Sequence, residues 1–262
     1  MRIVVPVKQV PDTTEVRMDS ETNTLVREGV DSIVNPFDTY AVEEAVRVKE
    51  RLNLDASITV LTMGPPQAES ALRECLAVGA DEAALVTDRA FAGSDTWATS
   101  LVLATAIRHI GFDLVICGKQ AIDGDTAQVG PGISVHLDVP QATYVGKVEE
   151  ITPGKAVVLR LVEEGHERIE LPLPCLWTVT KEINEPRLPS LRGKMRAKKA
   201  EIRKLTAEEL GLKAKAVGLD GSPTRVVRIF SPLPRAGGEV FTGEADECVA
   251  KLVAALTEGQ VV

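Results

Sequence analysis

The first 140 residues alternate between short apolar runs and longer amphipathic stretches. The apolar runs have the length of buried strands and lie at residues 3–7, 57–62, 83–86 and 112–117. The amphipathic stretches predict helices, the first of which begins near Asp38, its predicted N-cap. Strands that alternate with helices form right-handed βαβ units. The pattern therefore predicts an α/β fold with a doubly wound, mostly parallel sheet and helices on both faces.

After Pro140 the pattern changes to short β runs separated by turns. Runs at residues 142–148, 155–162 and 167–171 predict an antiparallel β extension of the sheet, and residues 175–179 predict one further strand.

The last third of the chain has little periodicity. Residues 184–203 are basic and contain proline, and they predict either a disordered linker or a functional loop. Residues 205–240 are predicted to be largely irregular. Residues 244–257 carry an apolar stripe and predict an amphipathic helix that ends an irregular C-terminal arm. A helix of this kind buries its apolar face poorly alone, so we expect the arm to lie on a partner subunit.

The composition argues against several classes of function. The net charge is −8, whereas a nucleic-acid-binding chain needs a cationic face. No apolar run reaches the length of about 20 residues that spans a membrane. The cysteines lack CxxC spacing and the histidines are far apart, so buried reduced thiols are expected and no metal site is predicted. The strand-like start predicts no signal peptide, and we expect a cytoplasmic protein without direct membrane insertion.

Candidate ligand-binding residues lie where the predicted parallel strands end. Ligands of open α/β sheets bind beyond the carboxyl ends of the strands, where the strand order reverses. The segments expected there are residues 6–8, 35–38, 63–65 and 118–129. Lys8 either pairs with a phosphate or is a solvated strand end. No GxGxxG follows the first strand, and the sequence has no Walker loop and no GxSxG.

The run from Gly118 to Pro131 is the most informative of these segments. It follows a buried-strand pattern and leads into a predicted helix at residues 129–137. A glycine at a strand end lets the backbone approach a ligand, and free N–H groups at a helix N-terminus suit a phosphate. Asp123 and Asp125 are candidates either for helix capping and ribose binding or for catalysis and metal binding. The absence of an accompanying histidine or second acidic cluster favours capping and ribose binding.

A basic segment follows Leu188 and Leu191. Five of the ten residues from Lys194 to Arg203 are Lys or Arg, in a chain that is acidic overall. The segment is either a docking surface for an acidic partner or a solubilising charged loop. An exposed leucine on flexible backbone beside such charges is a candidate anchor for a partner's pocket.

Several segments together resemble the β subunit of electron transfer flavoprotein along essentially the whole chain. The matching segments are residues 5–10 (VPVKQV), 34–37 (VNPF), 41–45 (AVEEA), 118–128 (GKQAIDGDTAQ), 158–179, 184–187 (NEPR) and the basic run 194–199. The family signature at residues 158–179 departs only slightly, at Val179, where a small residue is usual. Leu191 lies at the position of the family's anchor leucine.

The resemblance implies a heterodimer with an α subunit that carries an FAD. In ordinary members the β subunit binds AMP as a structural nucleotide, and the α-subunit FAD passes electrons between acyl-CoA dehydrogenases and the quinone pool. In electron-bifurcating members the same pocket holds a second FAD that takes a hydride from NADH. Residues 8–14, residues 38–41 and above all Gly124 with Thr126 and Ala127 are similar to the bifurcating form. Because a glycine leaves room for a larger ligand, we favour bifurcation, with a structural AMP as the alternative.

The resemblance also assigns domains and site residues. It divides the chain into a nucleotide-binding α/β domain with its β extension (1–182), a partner-recognition loop (183–204) and a C-terminal arm and helix that wraps the α subunit (205–262). No side chain is expected to be catalytic, since the flavin carries the redox chemistry. The cofactor-binding residues implied are Pro6, Asn35, Pro36, Phe37, Asp38, Met63, Gly118, Lys119, Gln120, Ala121, Ile122, Asp123, Gly124, Asp125, Thr126, Ala127, Gln128 and Val129. Those implied to dock an acyl-CoA dehydrogenase-type or other electron-acceptor partner are Leu191, Lys194, Met195 and Arg196.

A nucleotide-binding module of the stress-protein type is a further alternative, because a fold alone does not fix a function. The β extension after residue 140 and the basic segment argue against it.

Overall fold

A computed structural model describes residues 1–12, 32–52, 56–228 and 237–261 of the chain. These residues form two compact units, Met1–Val227 and Arg228–Val262. The polar stretch from Asp12 to Glu28 predicts a hairpin-like excursion after the first strand, and apart from Asp12 it lies outside the described residues. The first unit extends beyond residue 182, where the sequence places the end of the nucleotide-binding domain.

The first unit is built on a nine-stranded sheet. The strands of the chain are β1 (Arg2–Pro6), β2 (Gln9–Pro11), β3 (Ser32–Val34), β4 (Ser57–Met63), β5 (Glu82–Val86), β6 (Leu114–Gly118), β7 (Gln141–Ile151), β8 (Lys155–Val162), β9 (Gly165–Pro172), β10 (Cys175–Val179) and β11 (Arg203–Leu205). The order in the large sheet is β11-β5-β4-β1-β6-β10-β7-β8-β9, and β2 and β3 pair separately as an antiparallel ribbon. The pairs from β11 to β7 are parallel, while β7–β8 and β8–β9 are antiparallel. The predicted doubly wound sheet with its antiparallel extension is confirmed.

Helices of the first unit cover both faces of the parallel part of the sheet. They are α1 (Pro36–Leu52), α2 (Glu69–Val78), α3 (Thr96–Ile110) and α4 (Val129–Leu137), and α5 (Leu191–Lys199) packs on α2. The second unit contains α6 (Ala245–Glu258). Along β1, Ile3 and Val5 pack in the core layer shared with α1 and α2, and Val4 packs in the layer shared with α3 and α4. Burial on both faces explains why these strands are continuous apolar runs rather than alternating ones.

The start of α1 differs from the sequence prediction. The helix begins at Pro36, so Asp38 is its third residue and not its N-cap. Proline suits the first helical position because its fixed φ and missing N–H cost nothing there. The Asp38 carboxylate is free to accept hydrogen bonds from outside the helix.

Residues 184–203 are not irregular throughout, because they contain α5. Ser190 caps this helix by accepting a hydrogen bond from the backbone N–H of Gly193 at 3.0 Å. Arg73 of α2 donates to the carbonyl of Ala197 at the end of α5 (2.7 Å), and Arg196 of α5 donates to the carbonyl of Leu76 in α2 (2.7 Å). The helix therefore depends on contacts with α2 rather than on an apolar stripe of its own, which is why the sequence pattern missed it.

Part of the region that was predicted to be irregular after residue 205 packs into the core. Just before it, β11 pairs with β5. Within it, Ala207, Leu210 and Val217 are buried in the core layer of α3. The second unit contains α6, which confirms the amphipathic helix predicted at residues 244–257. Its apolar side chains Val249 and Leu252 are 59% and 48% exposed; that they lie on a partner subunit stays a prediction. In the described part of the chain, none of the helices has the length and apolar character needed to cross a bilayer.

The contact between α5 and α2 predicts the effect of adding one methyl group. A Cβ at residue 193 would clash with the backbone carbonyl oxygen of Ala77, so Gly193→Ala is expected to destabilise the protein by about 1–3 kcal/mol in urea unfolding. Gly154→Ala is the control, since no described atom lies within 4 Å of its Cβ position. Equal stability of the two variants would contradict the packing of α5 on α2.

Candidate functional site

The candidate site lies at the carboxyl ends of β1 and β6, which are neighbours in the sheet. The chain leaves β1 toward α1 on one face and leaves β6 toward α4 on the other face. This divergence is the switch point at which open α/β sheets bind ligands. The structure thus brings together residues 6–8, 35–38 and 118–129, while Met63 ends β4, on the far side of β1.

Asn35 joins the first two of these segments to the third. Its backbone N–H donates to the carbonyl of Lys8 at 2.8 Å. Its side-chain amide donates to the carbonyl of Gln120 (2.8 Å) and accepts from the N–H of Ile122 (3.1 Å). Asn35 is fully buried, and these two side-chain hydrogen bonds hold the loop after β6 in place.

Asp38 makes a second connection between the ends of β1 and β6. Its Oδ2 accepts a hydrogen bond from the N–H of Lys8 at 2.7 Å, and the side chain is buried. A Cβ on Gly118 would lie 2.7 Å from the carbonyl carbon of Phe37 and would overlap the Asp38 carboxylate. Only glycine lets the end of β6 come this close to α1. Burial raises the pKa of Asp38 to about 7, although the hydrogen bond from the Lys8 N–H opposes the shift.

The loop after β6 is held by its own polar side chains. Lys8 Nζ lies 2.6 Å from Asp123 Oδ1, which makes Lys8 part of an ion pair across the crevice. Gln120 donates through its side chain to Asp125, and the N–H of Asp125 donates to the carbonyl of Ala121 at 2.8 Å. These bonds fix the conformation of the loop. Its tip at Gly124 is open, because no described atom lies within 4 Å of the position that a Cβ would take there.

The backbone between this loop and α4 presents a run of unpaired donors. Asp125 and Ala127 have a φ of 53°, a left-handed conformation that turns successive N–H groups to one side. The N–H groups of residues 126–130 find no acceptor among the described residues. The last of them belong to the first turn of α4, where the helix dipole favours an anion. This donor set fits a nucleotide phosphate, as the sequence predicts.

Three contacts of this site were not anticipated. Lys119 Nζ lies 5.9 Å from the centre of the Phe37 ring and 5.0 Å from that of Tyr144, within the range of cation–π attraction. Tyr144 lies 25 positions after Lys119 on β7, and nothing in the local pattern pointed to it. Gln128 accepts from Thr96 at 3.0 Å, which ties the loop to the start of α3.

The predicted docking residues lie on α5. Leu191 and Met195 are 82% and 66% exposed, as a contact residue should be. Lys194 is exposed as well. Arg196 is exposed, but its guanidinium donates to the carbonyls of Leu76 and Ala80, so it has a structural role in holding α5 on α2.

Helix α1 also binds the segment that leads to α5, through two carboxylates that the sequence analysis missed. Glu43 accepts from Arg187 at 2.8 Å and Arg47 at 2.7 Å, and Glu44 accepts from Asn184 at 3.1 Å. Burial alone would raise the pKa of Glu43, but the two arginines outweigh it and lower that pKa. The signal was present in the sequence, since two acidic residues lie inside the apolar stripe between Ala41 and Ala45.

A cavity of about 530 Å³ lies between α1, α2 and residues 186–198. Its walls are mostly apolar, and they include Thr39, which follows Asp38 in the chain, but none of residues 118–129. The cavity lining also carries Arg73, Arg187, Lys194 and Lys198, of which Arg73 donates to the carbonyl of Ala197 and Arg187 to Glu43. Because residues 126–130 offer a run of backbone donors with no acceptor among the described residues, we place the candidate nucleotide site at the switch point.

Comparison with known proteins fits this architecture. Residues 22–210 match the model of the electron transfer flavoprotein domain. The chain belongs to the electron transfer flavoprotein β-subunit family. It is 53% identical over 263 residues to the electron transfer flavoprotein subunit beta of Thermoanaerobacterium thermosaccharolyticum, with all of both chains covered. It is 50% identical over 264 residues, again with full coverage, to the caffeyl-CoA reductase-Etf complex subunit CarD of Acetobacterium woodii. It is 46% identical over 243 residues to protein FixA of Azotobacter vinelandii, which covers 90% of this chain and 86% of the relative.

Membership confirms the resemblance found in the sequence. An electron transfer flavoprotein β subunit works with an α subunit, and its family is associated with flavin and nucleotide binding. The switch-point crevice, with its unpaired backbone donors, is the candidate site for such a nucleotide.

The close approach of β6 to α1 gives a testable prediction. Gly118→Ala is expected to lower the free energy of unfolding by about 1–3 kcal/mol, because the backbone of Phe37 has no room to move away from the added Cβ. Thermal unfolding measures the loss, and Gly124→Ala on the open tip of the same loop serves as the matched control. Equal melting temperatures of the Gly118→Ala and Gly124→Ala variants would contradict the close approach of α1 and β6.

Proposed function

We propose that this chain is the β subunit of an electron-bifurcating electron transfer flavoprotein and that its switch-point crevice binds an FAD that takes electrons from NADH. The observation that carries the proposal is the run of unpaired N–H groups at residues 126–130 beside the open tip at Gly124. The donors suit a pyrophosphate, and the missing side chain leaves room for more than a mononucleotide.

The side chains of the crevice bind and orient the nucleotide in this proposal. A bound flavin supplies the hydride and single-electron chemistry, so no side chain need be a nucleophile or a general base. In this proposal Asp123 would contact the adenosine part and the N–H groups of residues 126–130 would hold the phosphates, while the buried amide of Asn35 holds the loop beneath the nucleotide. The ion pair between Lys8 and Asp123 closes the crevice on the side of β1.

The alternative is a β subunit in which the same donors hold AMP as a structural nucleotide. In that case all electron transfer belongs to the FAD of the α subunit. The donors at residues 126–130 suit either phosphate group, so the bound nucleotide itself distinguishes the two functions.

Nucleotide analysis of the purified αβ heterodimer tests the choice. We expect two FAD molecules per heterodimer after acid extraction and chromatography, because each subunit would hold one. One FAD accompanied by one AMP would contradict bifurcation and support the structural nucleotide. Absence of any nucleotide beyond the FAD of the α subunit would contradict a nucleotide site in this chain.

We further propose that α5 docks an electron-accepting partner of the acyl-CoA dehydrogenase type. Support comes from the exposed Leu191 and Met195 and from the basic side chains around them, which favour an acidic surface. The relative CarD is a subunit of a caffeyl-CoA reductase-Etf complex, which is consistent with such a partner. The reciprocal arginine contacts with α2 make α5 a fixed platform for such docking.

Truncating the predicted anchor tests this docking. Leu191→Ala is expected to slow electron transfer to the partner by about ten-fold or more without loss of bound nucleotide, as at a binding hot spot. Stopped-flow reduction of the partner measures the rate. Val135→Ala, at another exposed apolar residue on α4, is the matched control and should leave the rate unchanged. Transfer at the wild-type rate by the Leu191 variant would refute the assignment of the anchor.

A further inference from the structure

Asp38 is a buried carboxylate without a cation of its own. In the described part of the chain no Lys or Arg side chain lies within ion-pair distance of it. Lys8 bonds to Asp38 through its backbone N–H, but its Nζ atom pairs with Asp123 instead. Burying an unpaired carboxylate is costly, and folded proteins keep such groups rare. The position of this one, between the ends of β1 and β6 and the first turn of α1, suggests what it does.

We propose that Asp38 is a positioning residue of the nucleotide site, whose ionised carboxylate fixes the loops after β1 and β6 relative to each other at a cost to the stability of the fold. The inference deepens the proposed function and rests on it. It assigns Asp38 an indirect role, through the backbone, in place of the direct contact with the cofactor that the family resemblance implies.

The geometry supports this role because the carboxylate lies between the ends of both strands. The N–H of Lys8 donates to Oδ2 at 2.7 Å, and the end of β6 at Gly118 lies against the other oxygen. A hydrogen bond to a charged acceptor is about twice as strong as one between neutral groups. Loss of the charge, by protonation or in an amide, would therefore weaken the bond that holds the end of β1.

The thiols that face Asp38 do not titrate in its place. They are the Cys75 thiol of α2 and the Cys117 thiol of β6. Burial raises the pKa of both thiols far above neutrality. Burial also raises the pKa of Asp38 from 3.8 to about 7, so Asp38 is the group here that changes charge near neutral pH.

The sign of the resulting stability change follows from linkage. A carboxyl whose pKa is higher in the folded chain contributes stability that is complete below its unfolded value and is lost as the pH rises through about 7. Nucleotide binding should run in the opposite direction, because the binding-competent form is the ionised one. Opposite trends in stability and affinity distinguish a positioning role from a merely structural one.

Asp38→Asn and a matched control, Asp113→Asn, test the inference. Asp113 accepts from the N–H of Arg2 at 2.6 Å, so it makes the same kind of bridge between β1 and β6 at their opposite ends. Binding of added FAD to the αβ heterodimer, stripped of its β-site nucleotide, is measured between pH 6 and pH 8, a range in which the pyrophosphate does not titrate. Melting of the nucleotide-free full chain is measured at pH 5 and pH 8.

We expect the wild-type affinity for FAD to fall about ten-fold from pH 8 to pH 6, in proportion to the ionised fraction of Asp38. Asp38→Asn should bind weakly at both values, while its melting temperature relative to wild type should rise from pH 5 to pH 8. Asp113→Asn should keep the wild-type affinity and its pH dependence. If the site proves to hold a mononucleotide, binding is measured with AMP at pH 8. Asp38→Asn should then bind AMP weakly, and Asp113→Asn should bind it as the wild type does.

Three results would overturn the inference. They are a flat pH profile of the wild type, an Asp38→Asn variant that binds as the wild type does, and a parallel loss of stability and affinity at every pH. The wild-type profile decides the matter even if the Asn variant does not fold. A wild type that binds neither FAD nor AMP would instead refute the proposed function.

Discussion

Two buried polar side chains at the start of α1, Asn35 and Asp38, hold the carboxyl ends of β1 and β6 together. Every other feature of the site depends on this connection. It fixes the loop after β6 through Gln120 and Ile122, and that loop in turn aims the unpaired N–H groups at the crevice. Hydrogen bonds of this kind are worth most where water is excluded, and both residues are buried.

The same helix reaches the opposite functional surface of the chain. One to two turns after Asp38, the buried Glu43 and Glu44 bind Arg187 and Asn184 and so anchor the segment that leads to α5. The proposed nucleotide crevice and the proposed docking helix α5 are thus attached to the same helix. In the proposed electron carrier this arrangement would keep the cofactor site and the partner surface in a constant relation.

The sequence predicted the sheet and the loop after β6 because their signals are local. Continuous apolar runs identify strands buried on both faces, and Gly118 followed by a helix start identifies the loop at the switch point, whose binding of phosphate stays a prediction. It did not predict α5, which is held on α2 by Arg73 of that distant helix and by its own Arg196. Nor did it predict the pairing of Glu43 with Arg187, 144 positions away. Asp38 was recognised as a helix-start residue, but its bond to Lys8 requires the fold and could not be deduced from spacing.

A crystal structure of the αβ heterodimer with its nucleotides tests the central claim most directly, because it shows where the phosphates of the β-subunit nucleotide lie. The account predicts phosphate oxygens at about 2.7–3.2 Å from the backbone nitrogens of residues 126–130, with Asn35 and Asp38 unchanged beneath them. A nucleotide seated elsewhere, for example in the apolar cavity beside α2, would contradict it.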